Sequence, residues 1–169
     1  MKKIVLFALA IAAVCTVQVY AKSGDVIGNV YSSDIIAYIN DVPVPSYNIN
    51  GRTVIIPEDL EDYGINCYYN DELRTLLVYM YDTMNPSVQN QVARGTPGRI
   101  TNKIYETDIK TYVNGELIQA YSLNGKVAVA IENLGKITDD NMEYSPYNMR
   151  YVWDGKNRSI SLYYIILFV

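Results

Sequence analysis

Ser46-Tyr47-Asn48-Ile49-Asn50-Gly51-Arg52-Thr53-Val54-Ile55-Ile56-Pro57-Glu58-Asp59-Leu60 decides the reading of the fold, because its pattern recurs 74 positions later as Ala120-Tyr121-Ser122-Leu123-Asn124-Gly125-Lys126-Val127-Ala128-Val129-Ala130-Ile131-Glu132-Asn133-Leu134. Each copy sets a tyrosine and an apolar strand position ahead of Asn-Gly, the dipeptide that supplies two positive-φ residues to a tight hairpin. A basic residue, an apolar return strand and an acidic segment follow. In the first copy, Pro57, the acids Glu58, Asp59, Glu61 and Asp62, and Gly64 have the punctuation of a short helix: proline in the first turn, acids at the N-terminal dipole, glycine at the stop.

Working outward, Tyr31–Leu60 and Tyr105–Leu134 align without gaps and share ten of thirty positions, where ordinary residue usage gives roughly two. The matched set includes Asp34/Asp108, Tyr38/Tyr112, Asn40/Asn114, Asn50/Asn124 and Glu58/Glu132. Val30 to Ile39 reads as a strand, Asn40-Asp41 and Asn114-Gly115 as turns, and the Pro43/Pro45 strand as an edge, since proline donates no ladder bond. Ile65–Tyr69 and Arg74–Tyr81 flank a further polar turn. Arg158 and Trp153, beside the turn Asp154-Gly155-Lys156-Asn157, echo Arg74 and Tyr69. The pattern predicts a tandem duplication: a lead-in over 22–29, repeat 1 over 30–81, a Pro/Gly/Asn/Gln-rich linker over 82–101 and repeat 2 over 102–169, with an inserted loop at 138–147. The expected fold class is α+β, two small repeats each with an antiparallel sheet packed on one short helix. The apolar end Ile165–Val169 reads as a closing strand.

The series Ile39-Asn40-Asp41, Tyr47-Asn48-Ile49-Asn50-Gly51-Arg52-Thr53, Glu58-Asp59-Leu60, Tyr63-Gly64, Tyr69-Asn70 and Arg74-Thr75-Leu76 resembles the copper amine oxidase N-terminal-like domain, a stalk module of secreted and surface bacterial proteins. The resemblance covers most of 30–81 and, more loosely, 104–164. It implies a small antiparallel sheet around one helix and a non-catalytic appendage. Pro57-Glu58-Asp59-Leu60 departs from the Pro-Leu-Arg segment common in that family, and the second copy lacks the proline. The oxidase chemistry does not carry over. Its copper takes three histidines, and its quinone arises from tyrosine in an Asn-Tyr-Asp/Glu context; the chain has no histidine and no such triplet.

The first 21 residues have the three parts of a secretory leader: Lys2 and Lys3, the apolar run Ile4–Val14, and Val19-Tyr20-Ala21 before a cleavage between Ala21 and Lys22. Thr16 and Gln18 break that run short of the roughly 20 apolar residues of a membrane span, so no transmembrane segment is expected after cleavage. A secreted, cell-surface or periplasmic location in a bacterium follows. Of the 14 basic residues, loss of Lys2 and Lys3 leaves 12 against 18 acidic ones, a net charge near −6. That balance, with no basic cluster, argues against nucleic acid as a partner. Without histidine there is no Ser-His-Asp or Cys-His nucleophile and no imidazole-ligated metal. No cofactor is expected. Cys67 is the single cysteine beyond the leader and reads as a small buried hydrophobe.

These exclusions leave a non-enzymatic, secreted or cell-envelope binding or structural module contacting a cell-wall polymer, another glycan or another envelope protein. Tyr144, Tyr147, Tyr151 and Trp153, in and beside the inserted loop, are the candidate ligand surface, since an amphipathic ring presents an apolar face and a polar tip. Two alternatives stand beside it. One is a glycan hydrolase built on two carboxylates. The other is a subunit of a surface assembly joined through exposed strand edges. Asp139, Asp140 and Glu143 could meet calcium, but their spacing matches no established loop.

Overall fold

The computed structural model describes residues 22–80, 91–134 and 147–166. The leader up to Ala21, the first part of the linker and most of the inserted loop, with Asp139, Asp140, Glu143 and Tyr144, lie outside the described residues. The first half contributes β1 (Val26–Tyr31), β2 (Ile36–Ile39), β3 (Val42–Val44), β4 (Tyr47–Ile49), β5 (Arg52–Ile55), β6 (Ile65–Asn70) and β7 (Thr75–Met80). The second contributes β8 (Ile100–Tyr105), β9 (Lys110–Val113), β10 (Glu116–Ile118), β11 (Ala120–Leu123), β12 (Lys126–Ala130), β13 (Tyr147–Asp154) and β14 (Ser159–Ile166). The stretch read as one strand from Val30 to Ile39 is broken between β1 and β2, and β1 begins inside the polar lead-in.

Local chemistry sets four of the hairpins. Asn40/Asp41, Asn50/Gly51, Asn114/Gly115 and Asn124/Gly125 all have φ between 45° and 93°, the pair of left-handed residues that a two-residue turn needs to match strand twist. Two longer turns, joining β6 to β7 and β13 to β14, end on Arg74 and Arg158 at φ 49° and 50°. An L-residue at such a φ costs of order 1 kcal/mol or more, so both arginines stand where glycine would be easier.

The α+β expectation is corrected here: the molecule is mostly β, and no described helix reaches seven residues. The segment from Pro57 forms two successive 3-10 turns, Pro57–Asp59 and Glu61–Tyr63, closed by Gly64 at φ 78°. Its buried residues Pro57, Leu60 and Tyr63 recur every third position, while Glu58, Asp59, Glu61 and Asp62 face solvent. A period of three is that of the tighter helix, and seven residues are too few to nucleate an α-helix against it. The second half has one such turn, Ile131–Asn133.

Nor does each half keep a sheet to itself. β1, β4 and β5 join β12, β11 and β8 in a closed six-stranded barrel, with β1 paired to β8 and β5 to β12. The order of one four-stranded sheet is β10-β9-β7-β6 and of the other β13-β14-β2-β3, so each combines a hairpin from either half. The joins are the parallel pairs β7–β9 and β14–β2. Backbone bonds repeat across them: Lys110 N–H to Arg74 C=O (2.9 Å) and Asn114 N–H to Val78 C=O (2.8 Å) correspond to Ile36 N–H to Arg158 C=O (3.1 Å) and Asn40 N–H to Leu162 C=O (2.9 Å).

The strands of the motif sort the core. Along β12, Ala128 and Ala130 point into the barrel with Val30, Ile49, Val54, Ile104 and Leu123. Val127 and Val129 point outward into a second core with Ile39, Val44, Leu76, Val78, Val113 and Leu162. A strand covered on both faces reads as a continuous apolar run, and small residues inside suit a narrow barrel. Leu60, Tyr63, Ile131 and Leu134 complete the outer core, and the Tyr63 hydroxyl donates to Pro43 C=O at 2.8 Å. No helix among the described residues is long and apolar enough to cross a membrane.

Candidate functional site

Each composite sheet carries an arginine that reaches into the other half. Arg74 Nη2 and Nε donate to Asp108 Oδ1 and Oδ2 at 2.7 and 3.2 Å. Arg158 does the same to Asp34 at 2.7 and 3.0 Å. The forked geometry matches a planar guanidinium to a carboxylate. Hydrogen bonding from Arg74, then from Ser23, holds the Asp108 carboxyl down at about 2. Asp34 is likewise lowered, chiefly by its bond from Arg158. An aromatic ring stands beside each arginine. Tyr69 accepts from Arg74 Nη1 at 2.6 Å and donates to Asp71 Oδ1 at 3.0 Å, while the Arg158 guanidinium lies 6.0 Å from the Trp153 ring centroid, within reach of a cation–π attraction.

The rings are displayed because β6 and β13 are edge strands. Cross-strand partners of Tyr69 and Trp153 are Leu76 and Ile160, which are buried. The two rings therefore lie on the core side of their sheets, at the rim where the core ends. Tyr151 and Trp153, two residues apart on one face of β13, are 41% and 48% exposed. Burial of its ring raises the Tyr151 hydroxyl pKa, with Glu132 adding to the shift and Arg52 opposing it; those two form an ion pair at 2.9 Å. Tyr147 opens the same strand. Of the four aromatic residues singled out in the sequence, the structure thus brings Tyr151 and Trp153 together.

A further opening is at the other sheet, at residues that sequence reasoning did not select. A cleft of about 450 Å³ lies between β6 and the barrel, lined by Tyr69, Arg74, Lys126, Glu58, Glu106 and Ser122 among others. Lys126 pairs with Asp59, and Glu58 Oε2 accepts the Val127 N–H at 2.9 Å. The lining thus holds two cations and two carboxylates, and each cation is paired with an aspartate outside it. The available signal was the match of Arg74 to Arg158 and Tyr69 to Trp153, together with the shared Asp34 and Asp108; only the topology reveals that each arginine pairs with the aspartate of the opposite half.

Beside that cleft, a recess of about 360 Å³ is lined by Cys67, Glu58, Glu61 and Tyr68. Burial, then the charges of Glu58 and Glu61, push the Cys67 thiol up to about 12, which leaves it protonated and a poor nucleophile. Among the described residues no three His, Cys, Asp or Glu side chains group as they would around a metal ion. Set against protein-family models, curated proteins and solved structures, the chain matches none.

Proposed function

We propose that this chain is a secreted or cell-envelope module that binds a glycan without transforming it, a role in keeping with its resemblance to stalk domains. The observation that carries the reading is the display of Tyr68, Tyr69, Tyr151 and Trp153 on two edge strands, each ring between 41% and 54% exposed. Two of them stand beside guanidiniums whose positions are fixed by a carboxylate. Aromatic faces next to oriented hydrogen-bond donors suit sugar rings, which offer an apolar face and a rim of hydroxyls. Retention of the purified protein on cell-wall polysaccharide, lost on adding soluble glycan fragments, is the expected result. Failure to be retained on any polysaccharide would leave a structural role alone.

A hydrolytic reading draws on Glu58 and Glu106, which line one cleft. Against it, Glu58 is spent on the Val127 amide. Release of reducing ends from wall polysaccharide by the protein, abolished in Glu106→Gln, would establish the hydrolytic reading in place of ours.

A further inference from the structure

Building on the glycan-binding reading, we infer that the binding site is the cleft walled by Tyr69 and Arg74, and that its ligand is a neutral oligosaccharide bound once per chain. The cleft has the size of small-molecule sites, about 300–1,000 Å³ by general survey, and its wall is rigid before any ligand arrives. Tyr69 is held through its hydroxyl by both Arg74 and Asp71, and Arg74 is clamped on Asp108. Little side-chain freedom is left to lose on binding. Arg74 keeps this position despite its left-handed backbone, and strain of that kind persists where the surroundings over-determine it.

The charges select the ligand class. Arg74 and Lys126 are each already neutralised by an aspartate, and Glu58 and Glu106 add two more negative charges to the lining. A phosphorylated or uronic-acid polymer would meet repulsion. A neutral sugar meets donors from Arg74 and Lys126, acceptors from Glu58 and Glu106, and the exposed Tyr69 ring.

The corresponding place in the other half is covered by the chain itself. Gly95 of the linker donates its N–H to Ser33 C=O at 2.8 Å, and a Cβ there would collide with Ser32 Oγ. Ser32 and Ser33 are the residues 74 positions before Glu106 and Thr107, which line the open cleft. Arg94 then bonds to the carbonyls of Asp34, Asn157 and Arg158. At the other end the lead-in makes the like contact, Gly24 N–H to Glu106 C=O at 2.9 Å, and lines the cleft through Ser23 and Gly24 without filling it.

The test is a titration of the full protein with four neutral tetrasaccharides, of N-acetylglucosamine, cellulose, starch and mannan type, alongside poly(glycerol phosphate) as the anionic comparison. Amide NMR shifts should move at Tyr69, Arg74, Tyr105 and Lys126 for at least one neutral sugar, with one equivalent bound. Tyr69→Ala should weaken that binding by about tenfold or more, the loss expected of an aromatic anchor. Tyr69→Phe keeps the ring and should retain most of the affinity, and it serves if the alanine variant folds poorly. Leu117→Ala, at an exposed position of β10 outside the cleft, should leave affinity unchanged. Loss of binding in Trp153→Ala but not in Tyr69→Ala would overturn the inference and leave the glycan-binding function standing. Preference for the anionic polymer would overturn the ligand class, and binding of no sugar would overturn both.

Discussion

Thr111 sits in β9 between Leu76 of β7 and Ile118 of β10, fully buried, and its Oγ1 meets no hydrogen-bond partner among the described residues. The residue 74 positions earlier is Ala37, equally buried. A buried hydroxyl left unsatisfied costs about 1–3 kcal/mol, so Thr111→Val, which keeps the shape and removes the oxygen, should raise stability by about 1 kcal/mol in urea unfolding. A loss instead would mean that a partner satisfies the hydroxyl. The paired aspartates set the acid limit. The folded-state pKa of Asp108 is depressed to about 2 from its ordinary 3.8, and that of Asp34 is lowered too. Their contribution is complete above pH 4 and disappears as pH falls through the folded values, so stability should drop between about pH 4 and pH 2. In Asp34→Asn/Asp108→Asn the drop should be shallower; an unchanged acid profile would refute the coupling. The Cys67 thiol, pushed up to about 12, should react with an aromatic disulfide reagent at pH 8 at least about a hundredfold more slowly in the folded than in the unfolded protein, since the thiolate is the reactive form.

Among the elements, the Asn-centred hairpins were readable because their determinants are local. Two adjacent positive-φ residues fix both turn and register, and Asn50-Gly51 and Asn124-Gly125 say so directly. The segment after Pro57 was legible in place but not in kind. Its acids and Gly64 signal a helix, whereas the spacing of Pro57, Leu60 and Tyr63 signals a period of three, and packing enforces the latter. Leu60→Ala should therefore cost about 2–5 kcal/mol, as for other fully buried leucines. Glu61→Ala and Asp62→Ala, which raise α-helix propensity on exposed positions, should change stability by less than about 0.5 kcal/mol. If those surface changes stabilised the protein by more than about 1 kcal/mol, the segment would be an α-helix after all.

At the scale of the molecule, the internal match told that two similar units exist but not which strand pairs with which. A hairpin such as β6–β7 carries the same apolar alternation whether it joins β2–β3 of its own half or β9–β10 of the other. The likeness of the two halves makes the alternatives nearly equal in local terms, and the choice is made by long-range packing and by the linker. The same ambiguity concealed the cleft, because Tyr69 and Arg74 meet Lys126 and Asp108 only through the exchange. Since barrel and sheets are built from both halves, heating should unfold the protein in one transition seen alike by far-ultraviolet circular dichroism and Trp153 fluorescence; two separated transitions would indicate halves that stand alone. The exchange itself is tested most directly by backbone NOEs on the uniformly labelled protein. The account predicts cross-peaks linking Lys110 and Thr111 of β9 to Thr75 and Leu76 of β7, and Ile36 and Ala37 of β2 to Ser159 and Ile160 of β14. Cross-peaks linking β2 to β7 and β9 to β14 instead, each half closed upon itself, would contradict it.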